Sequence, residues 1–390
     1  MSESRKLRLG VAGLGRAFTL MLPTLTRHAR VTLAAAADPR PEARARFTAD
    51  FDAPAYATVE TMCAEADIDA VYVATPHQHH AAHARAAARH RRHLLVEKPI
   101  ALSLADAAEM IAAAREADIH LVVGHSHSFD APILRARELI ASGAFGRVRM
   151  IHAFNYTDFM CRPRRPEELD TAQGGGALFN QAPHQVDIVR LLGGGCVDTV
   201  RAMTGAWAPA RPTEGAYPAL LSFADGAFAS LVYGGYGHFD SDEFDEWVGE
   251  MGQQKAAGTA ARAAMVDAAQ EAAAKAARTY GGAAFQAAPT DVVAHQHFGT
   301  VIVTCEGGEL RPTPRGVVIY QDGTRRLEAL PPPAVPRAEV IDELVAAVMS
   351  GTPPRHDGAW AMATLEVCLA MLRSSREGRD ITLAHQVGWR

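Results

Sequence analysis

The sequence predicts two domains: an N-terminal α/β domain on a doubly wound parallel sheet, and a C-terminal α+β domain with a large, mostly antiparallel sheet. Two observations predict this arrangement. Over residues 1–124, short apolar stretches alternate with helix-like segments, which is typical of parallel strands joined by crossover helices. Over residues 125–390, several stretches of alternating polarity follow one another with short turns between them, which favours antiparallel pairing.

The elements of the first domain follow from the apolar pattern and its interruptions. Short apolar runs predict strands at 7–13, 31–37, 69–74, 93–96 and 120–123. Amphipathic stretches predict helices at 16–29, 39–50, 81–91 and 103–117. We expect Ser103 to cap the last of these helices, because Asp106 stands three residues further on.

The second domain contains more strands than helices. Alternating polarity predicts strands at 148–156, 199–207, 218–223, 227–233, 300–304 and 316–320. Helices are predicted at 132–142, 337–350 and 358–377. Residues 240–290 begin acidic and become rich in alanine, which predicts a helical insertion. We expect it to be either an arm that packs on another subunit or a mobile surface excursion.

Composition and charge exclude several classes of partner. The 390 residues carry a net charge of -5, so there is no basic surface of the kind that binds nucleic acid. No apolar run is long enough to cross a membrane, and the polar residues 1–6 lead directly into a strand. The five cysteines form no C-x-x-C pair, which favours reduced thiols. We therefore expect a cytoplasmic protein with a small-molecule substrate.

A glycine turn after the first strand predicts a nucleotide site. Gly13 and Gly15 stand between that strand and a helix, where such a turn brings the helix N-terminus onto a pyrophosphate. Arg16 and Ala17 would supply backbone N–H groups of the first helical turn. The motif is partial, because Phe18 occupies the position of its third glycine.

The end of the second strand indicates which nucleotide is bound. Asp38 stands where a carboxylate accepts hydrogen bonds from the ribose diol of a dinucleotide. A carboxylate there repels a 2′-phosphate, so we expect NAD. Arg40, two residues later, leaves NADP open.

Three further motifs resemble the Gfo/Idh/MocA family of dehydrogenases. They are residues 75–80 (TPHQHH), residues 97–99 (EKP) and residues 174–187 (GGGALFNQAPHQVD). Their order, together with the two-domain pattern, is specific to that family and covers nearly the whole chain except residues 240–290. The resemblance implies a Rossmann domain that binds NAD(P), followed by a substrate domain.

The resemblance also implies catalytic roles. Lys98 would face the substrate beside the nicotinamide, with a cis peptide bond to Pro99, and its ammonium group suits stabilising a developing oxyanion. His184 matches the general base. Asp187, three residues on, would orient His184 or contact substrate. Many relatives have an aspartate where this chain has Asn180, whose amide can bond to substrate but cannot share a proton.

The loops that carry the first two motifs are expected to line the cofactor with Thr75, Pro76, His77, His80 and Glu97. Several histidines have spacings that zinc ligands also show, namely 77, 79, 80, 83, 125 and 127. We expect no metal, because the family places this loop beside its cofactor and works without one. His125 and His127 follow the last strand of the first domain, and we expect His127 to contact substrate.

An arginine-rich loop indicates an anionic substrate. Arg162, Arg164 and Arg165 alternate with prolines in a stiff loop, and guanidinium groups pair well with carboxylates. This loop and the residues after it resemble the phthalate cis-dihydrodiol dehydrogenase branch of the family. The alternative is a solvated loop whose arginines pair with the acidic residues at 167, 168 and 170.

The sequence thus predicts an NAD-dependent oxidation of a secondary alcohol on a cyclic diol. The preferred substrate is a carboxylated cis-dihydrodiol of the 4,5-dihydroxy-4,5-dihydrophthalate type, which becomes a catechol. One alternative is a cyclitol or sugar dehydrogenase of the same family, and another is a non-catalytic NAD(P)-binding regulator. Lys98 and His184 argue against a regulator, which has no need of the pair. The resemblance also implies a homodimer or homotetramer.

Overall fold

The computed structural model describes residues 5–124, 127–258, 268–286 and 292–389. The chain forms two compact units. The first contains Met1–Gly124, Asp267–Thr290 and Arg337–Met362, and the second contains His125–Val266, Asp291–Pro336 and Ala363–Arg390. The range 125–390 expected for the second domain therefore includes two segments that pack with the first unit instead.

The strands, in chain order, are β1 (Leu7–Ala12), β2 (Val31–Ala37), β3 (Ala55–Tyr56), β4 (Ala70–Val73), β5 (His93–Glu97), β6 (Leu121–Gly124), β7 (Val148–Tyr156), β8 (Val197–Ala202), β9 (Ala216–Phe223), β10 (Phe228–Gly234), β11 (Thr300–Cys305), β12 (Gly308–Thr313), β13 (Gly316–Gln321), β14 (Thr324–Ala329) and β15 (Ile381–Thr382). The helices are α1 (Arg16–Arg27), α2 (Pro41–Phe51), α3 (Val59–Glu65), α4 (His80–Arg89), α5 (Leu104–Glu116), α6 (Ala131–Ala141), α7 (Ala177–Asn180), α8 (Ala182–Leu192), α9 (Ala268–Arg278), α10 (Ala338–Ser350) and α11 (Gly358–Glu377).

The first unit is built on a parallel sheet, as the sequence predicts. Among the described residues it has six strands in the order β3-β2-β1-β4-β5-β6, all paired in parallel. Leu9 of β1 pairs with Leu33 of β2 on one side and Ala70 of β4 on the other. Its side chain is buried, because helices cover both faces of such a sheet. The predicted cap of α5 is confirmed, since the Ser103 side chain accepts a hydrogen bond from the Asp106 backbone N–H.

The topology gathers the predicted cofactor residues at one edge of this sheet. Parallel strands present their carboxyl ends on the same side, where α/β proteins bind ligands. Gly13 follows β1, Asp38 follows β2, Thr75 follows β4 and Lys98 follows β5. All four therefore lie along a single edge.

The second unit contains a large and mostly antiparallel sheet, which is also confirmed. Its nine described strands follow the order β14-β13-β12-β11-β7-β10-β9-β8-β15. The β7–β10 pair is parallel, and the other neighbours are antiparallel. Strands β12 and β14 were not predicted, because Pro312 interrupts the first and exposed charged residues dominate the second. Tertiary pairing with β13 stabilises both.

The insertion at 240–290 is partly helical, as predicted. Its described part contains a short 3₁₀ turn at Ser241–Asp245 and the helix α9. Tyr280, just after α9, is buried against Phe18 of α1. The region around Tyr280 is therefore a packed part of the first unit and not a surface excursion. Within the described ranges, no helix has the length and apolar character needed to span a membrane.

Candidate active site

The glycine turn between β1 and α1 forms a cradle for a dinucleotide pyrophosphate. Gly13 has a φ of +91°, and a Cβ atom there would lie 2.8 Å from Cγ2 of Thr75. A Cβ at Gly15, by contrast, would meet nothing within 4 Å, so the space before the N-terminus of α1 is open. Backbone N–H groups of the first helical turn, from Arg16 and Ala17, belong to this end of α1. The residues present therefore fit a bound dinucleotide.

Phe18 explains the departure from the usual glycine motif. Its ring is buried and contacts Phe47 of α2 at 6.4 Å and Tyr280 at 5.2 Å between ring centroids. A glycine at this position normally allows close packing of helix on strand. Here the side chain instead anchors α1 to α2 and to the segment that follows α9.

Asp38 occupies the position expected for a ribose-binding carboxylate. Its Oδ2 accepts a hydrogen bond from the backbone N–H of Leu14 at 2.8 Å, which ties the carboxylate to the glycine turn. Arg40 forms an ion pair with the same carboxylate, with Nε 3.0 Å from Oδ1. Asp38, which favours NAD, and Arg40, which leaves NADP open, are thus bonded to one another.

The loops after β4 and β5 are joined through a buried histidine. The Lys98–Pro99 peptide bond is cis, as the family resemblance implies. His80 is buried at the start of α4, with Nδ1 3.0 Å from the Pro99 carbonyl oxygen and Nε2 3.0 Å from that of Thr75. Burial lowers the pKa of His80, although the two carbonyl groups favour its cation. Because both ring nitrogens are engaged, we assign His80 to positioning these loops, in place of the cofactor contact predicted for it.

Glu97 likewise holds the loop that carries Lys98. Its carboxylate accepts a hydrogen bond from the phenol group of Tyr72 on β4. Burial and the neighbouring Glu97 raise the pKa of Tyr72 far above its usual range, so the phenol keeps its proton. Lys98 itself is half-buried at the carboxyl end of β5.

The histidines after β4 do not assemble around a shared point. Thr75 Oγ1 lies 3.0 Å from Nδ1 of His83, and burial lowers the pKa of His83 to about 4. The His77 ring contacts that of His80 edge-on at 5.6 Å, beside Pro76. Among the described residues, no group of three or more His, Cys, Asp or Glu side chains is placed to hold a metal ion. His125 lies outside the described residues.

In the second unit, the predicted base His184 lies in an aromatic cluster. It belongs to α8, whose residues are all buried. The His184 ring centroid is 4.7 Å from that of His127 and 5.0 Å from that of Phe298. Tyr233 stacks on Phe298 with a centroid separation of 6.2 Å and an interplanar angle of 5°. The structure thus brings the rings of His184 and His127 into contact.

His127 lies between two carboxylates. Its Nδ1 is 3.0 Å from Oδ2 of Asp130, and its Nε2 is 3.5 Å from Oε1 of Glu250. Burial alone would lower the pKa of His127, but Asp130 and Glu250 outweigh it and raise the pKa. The two carboxylates therefore favour the protonated form of His127, whose ring lies beside that of His184.

Asp187 lies in a buried polar cluster with Thr364 and Arg190. Its Oδ1 accepts a hydrogen bond from Thr364 Oγ1 at 2.7 Å and lies 4.0 Å from Nη1 of Arg190. Both Asp187 and Arg190 are completely buried. The structure thus shows Asp187 bonded to Thr364 beside Arg190, and its predicted role, in orienting His184 or contacting substrate, stays a prediction.

The glycine-rich segment before α8 is held by Asn180. Its side-chain Nδ2 donates hydrogen bonds to the carbonyl groups of Gly174 at 3.0 Å and Gly176 at 2.8 Å. Gly176 has a φ of +79°, and a Cβ atom there would collide with the carboxylate of Glu214. That buried carboxylate accepts a hydrogen bond from the Leu178 backbone N–H. Burial raises the pKa of Glu214. The Asn180 amide was expected to contact substrate, but its nitrogen donates hydrogen bonds within this glycine-rich segment.

The three arginines of the predicted carboxylate clamp point to separate partners. Arg162 pairs with Asp158 at 2.8 Å, and Arg165 pairs with Glu167 at 2.9 Å. Arg164 is buried with its guanidinium carbon 3.8 Å from the centroid of the Phe159 ring. Burial lowers the pKa of Arg164 to about 10. Arg165 thus agrees with the alternative prediction, in which the arginines of this loop pair with the acidic residues that follow them.

Sequence reasoning missed Glu250, Phe298 and Tyr233. Glu250 lies inside the insertion, for which the sequence predicted only a helical arm on another subunit or a mobile surface excursion. Phe298 directly follows His295-Gln296-His297, a cluster of polar and aromatic residues just before β11. That cluster is the one signal in the sequence that pointed to a site there.

Comparisons with known proteins give a family match in the N-terminal part of the chain and another in the C-terminal part. Residues 7–125 match the family model "Oxidoreductase family, NAD-binding Rossmann fold", and residues 133–253 match "GFO/IDH/MocA C-terminal domain". The chain is 46% identical over 377 residues to the 1-carboxy-3-chloro-3,4-dihydroxycyclohexa-1,5-diene dehydrogenase of Comamonas testosteroni, covering 95% of each chain.

Solved structures share the architecture. A crystal structure from Bordetella bronchiseptica RB50 has a TM-score of 0.90 and 42% identity, covering 97% of this chain and 100% of that one. The WlbA dehydrogenase of Bordetella pertussis, solved with NADH and UDP-GlcNAcA, has a TM-score of 0.70 at 23% identity, covering 97% and 99%. The second likeness concerns the fold alone.

Proposed function

Because this chain belongs to the Gfo/Idh/MocA family of NAD-dependent oxidoreductases, we propose that it oxidises a carboxylated cis-dihydrodiol to a catechol. The observation that carries this proposal is the 46% identity, over 95% of the chain, to a dehydrogenase named for a carboxylated dihydroxycyclohexadiene. Within this class we expect a diol of the 4,5-dihydroxy-4,5-dihydrophthalate type.

In the proposed reaction, NAD bound at the glycine turn supplies the acceptor for the hydride of one carbinol carbon. His184 accepts the proton of that hydroxyl group at a ring nitrogen. Lys98 donates a hydrogen bond to the same oxygen and stabilises the negative charge that develops on it. The hydroxydienone that results tautomerises: the remaining carbinol carbon gives up its proton and the ketone oxygen gains one, and the aromatic stability of the catechol favours oxidation.

The aromatic cluster supports a flat ring as substrate. The Phe298 ring contacts that of His184, and Tyr233 stacks nearly parallel on Phe298. Aromatic side chains bind apolar, planar groups well, and a few polar groups then fix their orientation. A cyclohexadiene diol has such a planar, apolar part, whereas a cyclitol carries a hydroxyl group on every carbon. The cluster therefore favours the dihydrodiol over the cyclitol alternative.

Arg162 is the arginine best placed to exchange its partner for a substrate carboxylate. Its side chain is 43% exposed, and it pairs with the partly exposed Asp158. Exposed ion pairs of this kind contribute about 0–1 kcal/mol, so an incoming carboxylate can replace Asp158 at little cost. Burial lowers the pKa of Arg162, but Glu250, Asp158 and Tyr233 together outweigh it and raise the pKa. The guanidinium therefore remains charged.

A substrate panel tests the proposed reaction directly. NADH formation would be followed with the dicarboxylated cis-dihydrodiol, a monocarboxylated one, the uncarboxylated benzene cis-dihydrodiol and myo-inositol, and the catechol product would be identified by chromatography. We expect the carboxylated diols to have a kcat/KM about 100-fold above the others, as one or two charge-assisted hydrogen bonds provide. Preferential turnover of myo-inositol would overturn the substrate class. Binding of NADH without turnover of any diol or polyol would instead support the regulator.

Two arginine variants test the carboxylate contact. Arg162→Gln should raise the KM for a carboxylated diol about 10-fold, the usual effect of one hydrogen bond to a charged group, and spare the uncarboxylated diol. Arg165→Gln is the matched control, because Arg165 pairs with Glu167 of its own loop. An equal effect of Arg162→Gln on both diols would show that Arg162 does not bind a carboxylate.

We further propose that the protein acts in the cytoplasm, in the breakdown of aromatic compounds, as a homodimer or homotetramer. Exposed apolar side chains on neighbouring strands of the large sheet, Leu220 on β9 and Phe228 on β10, support self-association through that face. Light scattering on the purified protein would give the number of subunits. A monomer at micromolar concentration would contradict the proposal.

A further inference from the structure

The chain directly after α9 is anchored on the cofactor-binding unit at several points. The Tyr280 phenol donates a hydrogen bond to Asp50 Oδ2 at 2.6 Å, and its ring meets Phe18 edge-on at 5.2 Å. Gly281 has a φ of +80°, and a Cβ there would lie 2.7 Å from Cα of Ala43 on α2. Residues 279–281, here called the strap, are therefore fitted closely against α1 and α2.

The strap holds the side chain of Arg40. Nη1 of Arg40 donates to Thr279 Oγ1 at 2.7 Å and to the Tyr280 carbonyl oxygen at 3.4 Å. Nε donates to Asp38 Oδ1 at 3.0 Å, and Nη2 donates to Asp38 Oδ2 at 3.1 Å and to the Leu14 carbonyl oxygen at 3.0 Å. A guanidinium group has five N–H donors, so Arg40 directs its whole donor set at these oxygens.

This arrangement lies where the adenosine ribose of a dinucleotide is expected. Asp38 ends β2 and is bonded to the glycine turn through Leu14. A 2′-phosphate in this place needs a cation that turns toward it. Arg40 is bonded to the Asp38 carboxylate, and its guanidinium is 30% exposed, whereas Arg44 donates to the backbone carbonyl oxygens of Asp38 and Pro39. To face a phosphate, Arg40 would have to leave Asp38 and both oxygens of the strap.

We propose that the strap makes this site select NAD over NADP by fixing Arg40 against Asp38. The carboxylate alone disfavours a 2′-phosphate, but an arginine two residues away would offset that effect if it were free to turn. Thr279 and the Tyr280 carbonyl group remove this freedom. The insertion thus acts as a specificity element for the cofactor. The inference rests on binding of the dinucleotide and is independent of the substrate proposed above.

Binding of NADH and NADPH to the full-length protein tests the inference without turnover. Dissociation constants would be measured by fluorescence titration for the wild type, Thr279→Val and Thr26→Val. Thr26 is a matched control, because its hydroxyl bonds to a carbonyl group of its own helix at 2.8 Å, as that of Thr279 does at 2.7 Å. Only the Thr279 hydroxyl also accepts from Arg40.

We expect Thr279→Val to lower the ratio of the NADPH to the NADH dissociation constant about 10-fold, as expected for one lost hydrogen bond to a charged group. Thr26→Val should leave the ratio unchanged. Gly281→Val, which forces the strap off Ala43, should lower the ratio further. In Thr279→Val/Arg40→Gln the gain in NADPH binding should disappear, because Arg40 provides it.

Three results would overturn the inference. The first is a wild-type ratio in folded Thr279→Val, with melting temperature and circular dichroism as the check of folding. The second is a gain in NADPH binding that persists without the Arg40 cation. The third is equal weakening of NADH and NADPH binding in Thr279→Val, which would mean that the strap merely supports the fold. If Gly281→Val does not fold, the two variants of Thr279 still decide between these outcomes.

Discussion

Replacing Asp187 by asparagine tests whether this residue stabilises the fold or takes part in the reaction. Oδ1 of Asp187 lies 4.0 Å from Nη1 of Arg190, and both side chains are 0% exposed. Asparagine keeps an oxygen that can accept the hydrogen bond from Thr364 but removes the charge. The Asp187→Asn variant therefore leaves the buried Arg190 cation without its carboxylate, while the shape of the site is preserved.

The size of the effect follows from the distance and the burial. Two unit charges 4.0 Å apart interact by about 4 kcal/mol at an effective dielectric constant of about 20. Breaking a buried ion pair by removing one partner typically costs about 3–5 kcal/mol. We therefore expect the free energy of unfolding to fall by about 3–4 kcal/mol, out of a usual total of about 5–15 kcal/mol. The melting temperature should fall by about 10 °C.

An exposed pair at the same distance provides the control. Oδ1 of Asp380 also lies 4.0 Å from a guanidinium nitrogen, Nη1 of Arg201, but these side chains are 71% and 38% exposed. Asp380→Asn should change stability by about 0–1 kcal/mol. Both variants would be compared by urea unfolding and by melting temperature, with kcat and KM measured on the folded proteins.

Equal and small losses of stability in both variants would refute the reasoning from burial. A wild-type melting temperature together with a collapsed kcat would show that Asp187 acts in the reaction. The double variant Asp187→Asn/Arg190→Met should recover part of the lost stability, because it also removes the buried Arg190 charge that has lost the Asp187 carboxylate.

Two other predictions concern the reaction and its surroundings. Lys98→Ala should lower kcat about 10³-fold while the NADH dissociation constant stays within about two-fold, since Lys98 is assigned to the transition state; parallel loss of turnover and binding, measured by kinetics and fluorescence titration, would remove that assignment. His127 has a raised pKa in the folded protein because Asp130 and Glu250 outweigh its burial, so its contribution to stability is complete below the unfolded pKa of about 6.5 and is lost as the pH rises through the folded value. Urea midpoints between about pH 6 and pH 9 should therefore fall less steeply for His127→Gln than for the wild type, and identical slopes would contradict the raised pKa.

Much of the fold could be predicted because its signals are local. The strands of the first unit are short apolar runs, since a parallel sheet is buried on both faces and needs no alternation. The glycine turn at Gly13 and the cap at Ser103 depend on backbone geometry that a few adjacent residues determine. Strand β14 was missed because its pattern is charged, and its pairing with β13 depends on residues outside the strand.

The sequence by itself determined the type of chemistry, through residue types in a specific order: the glycine turn, Asp38, Lys98 and His184. Only the tertiary structure decided which residues bond to one another around the predicted sites. It placed Thr279 on Arg40, Glu250 beside His127 and Arg190 beside Asp187. The reason is physical: a hydrogen bond or an ion pair depends on distances of a few ångströms between residues that can be far apart in sequence. Arg40 and Thr279 are separated by 239 positions, and the sequence around neither residue specifies the other.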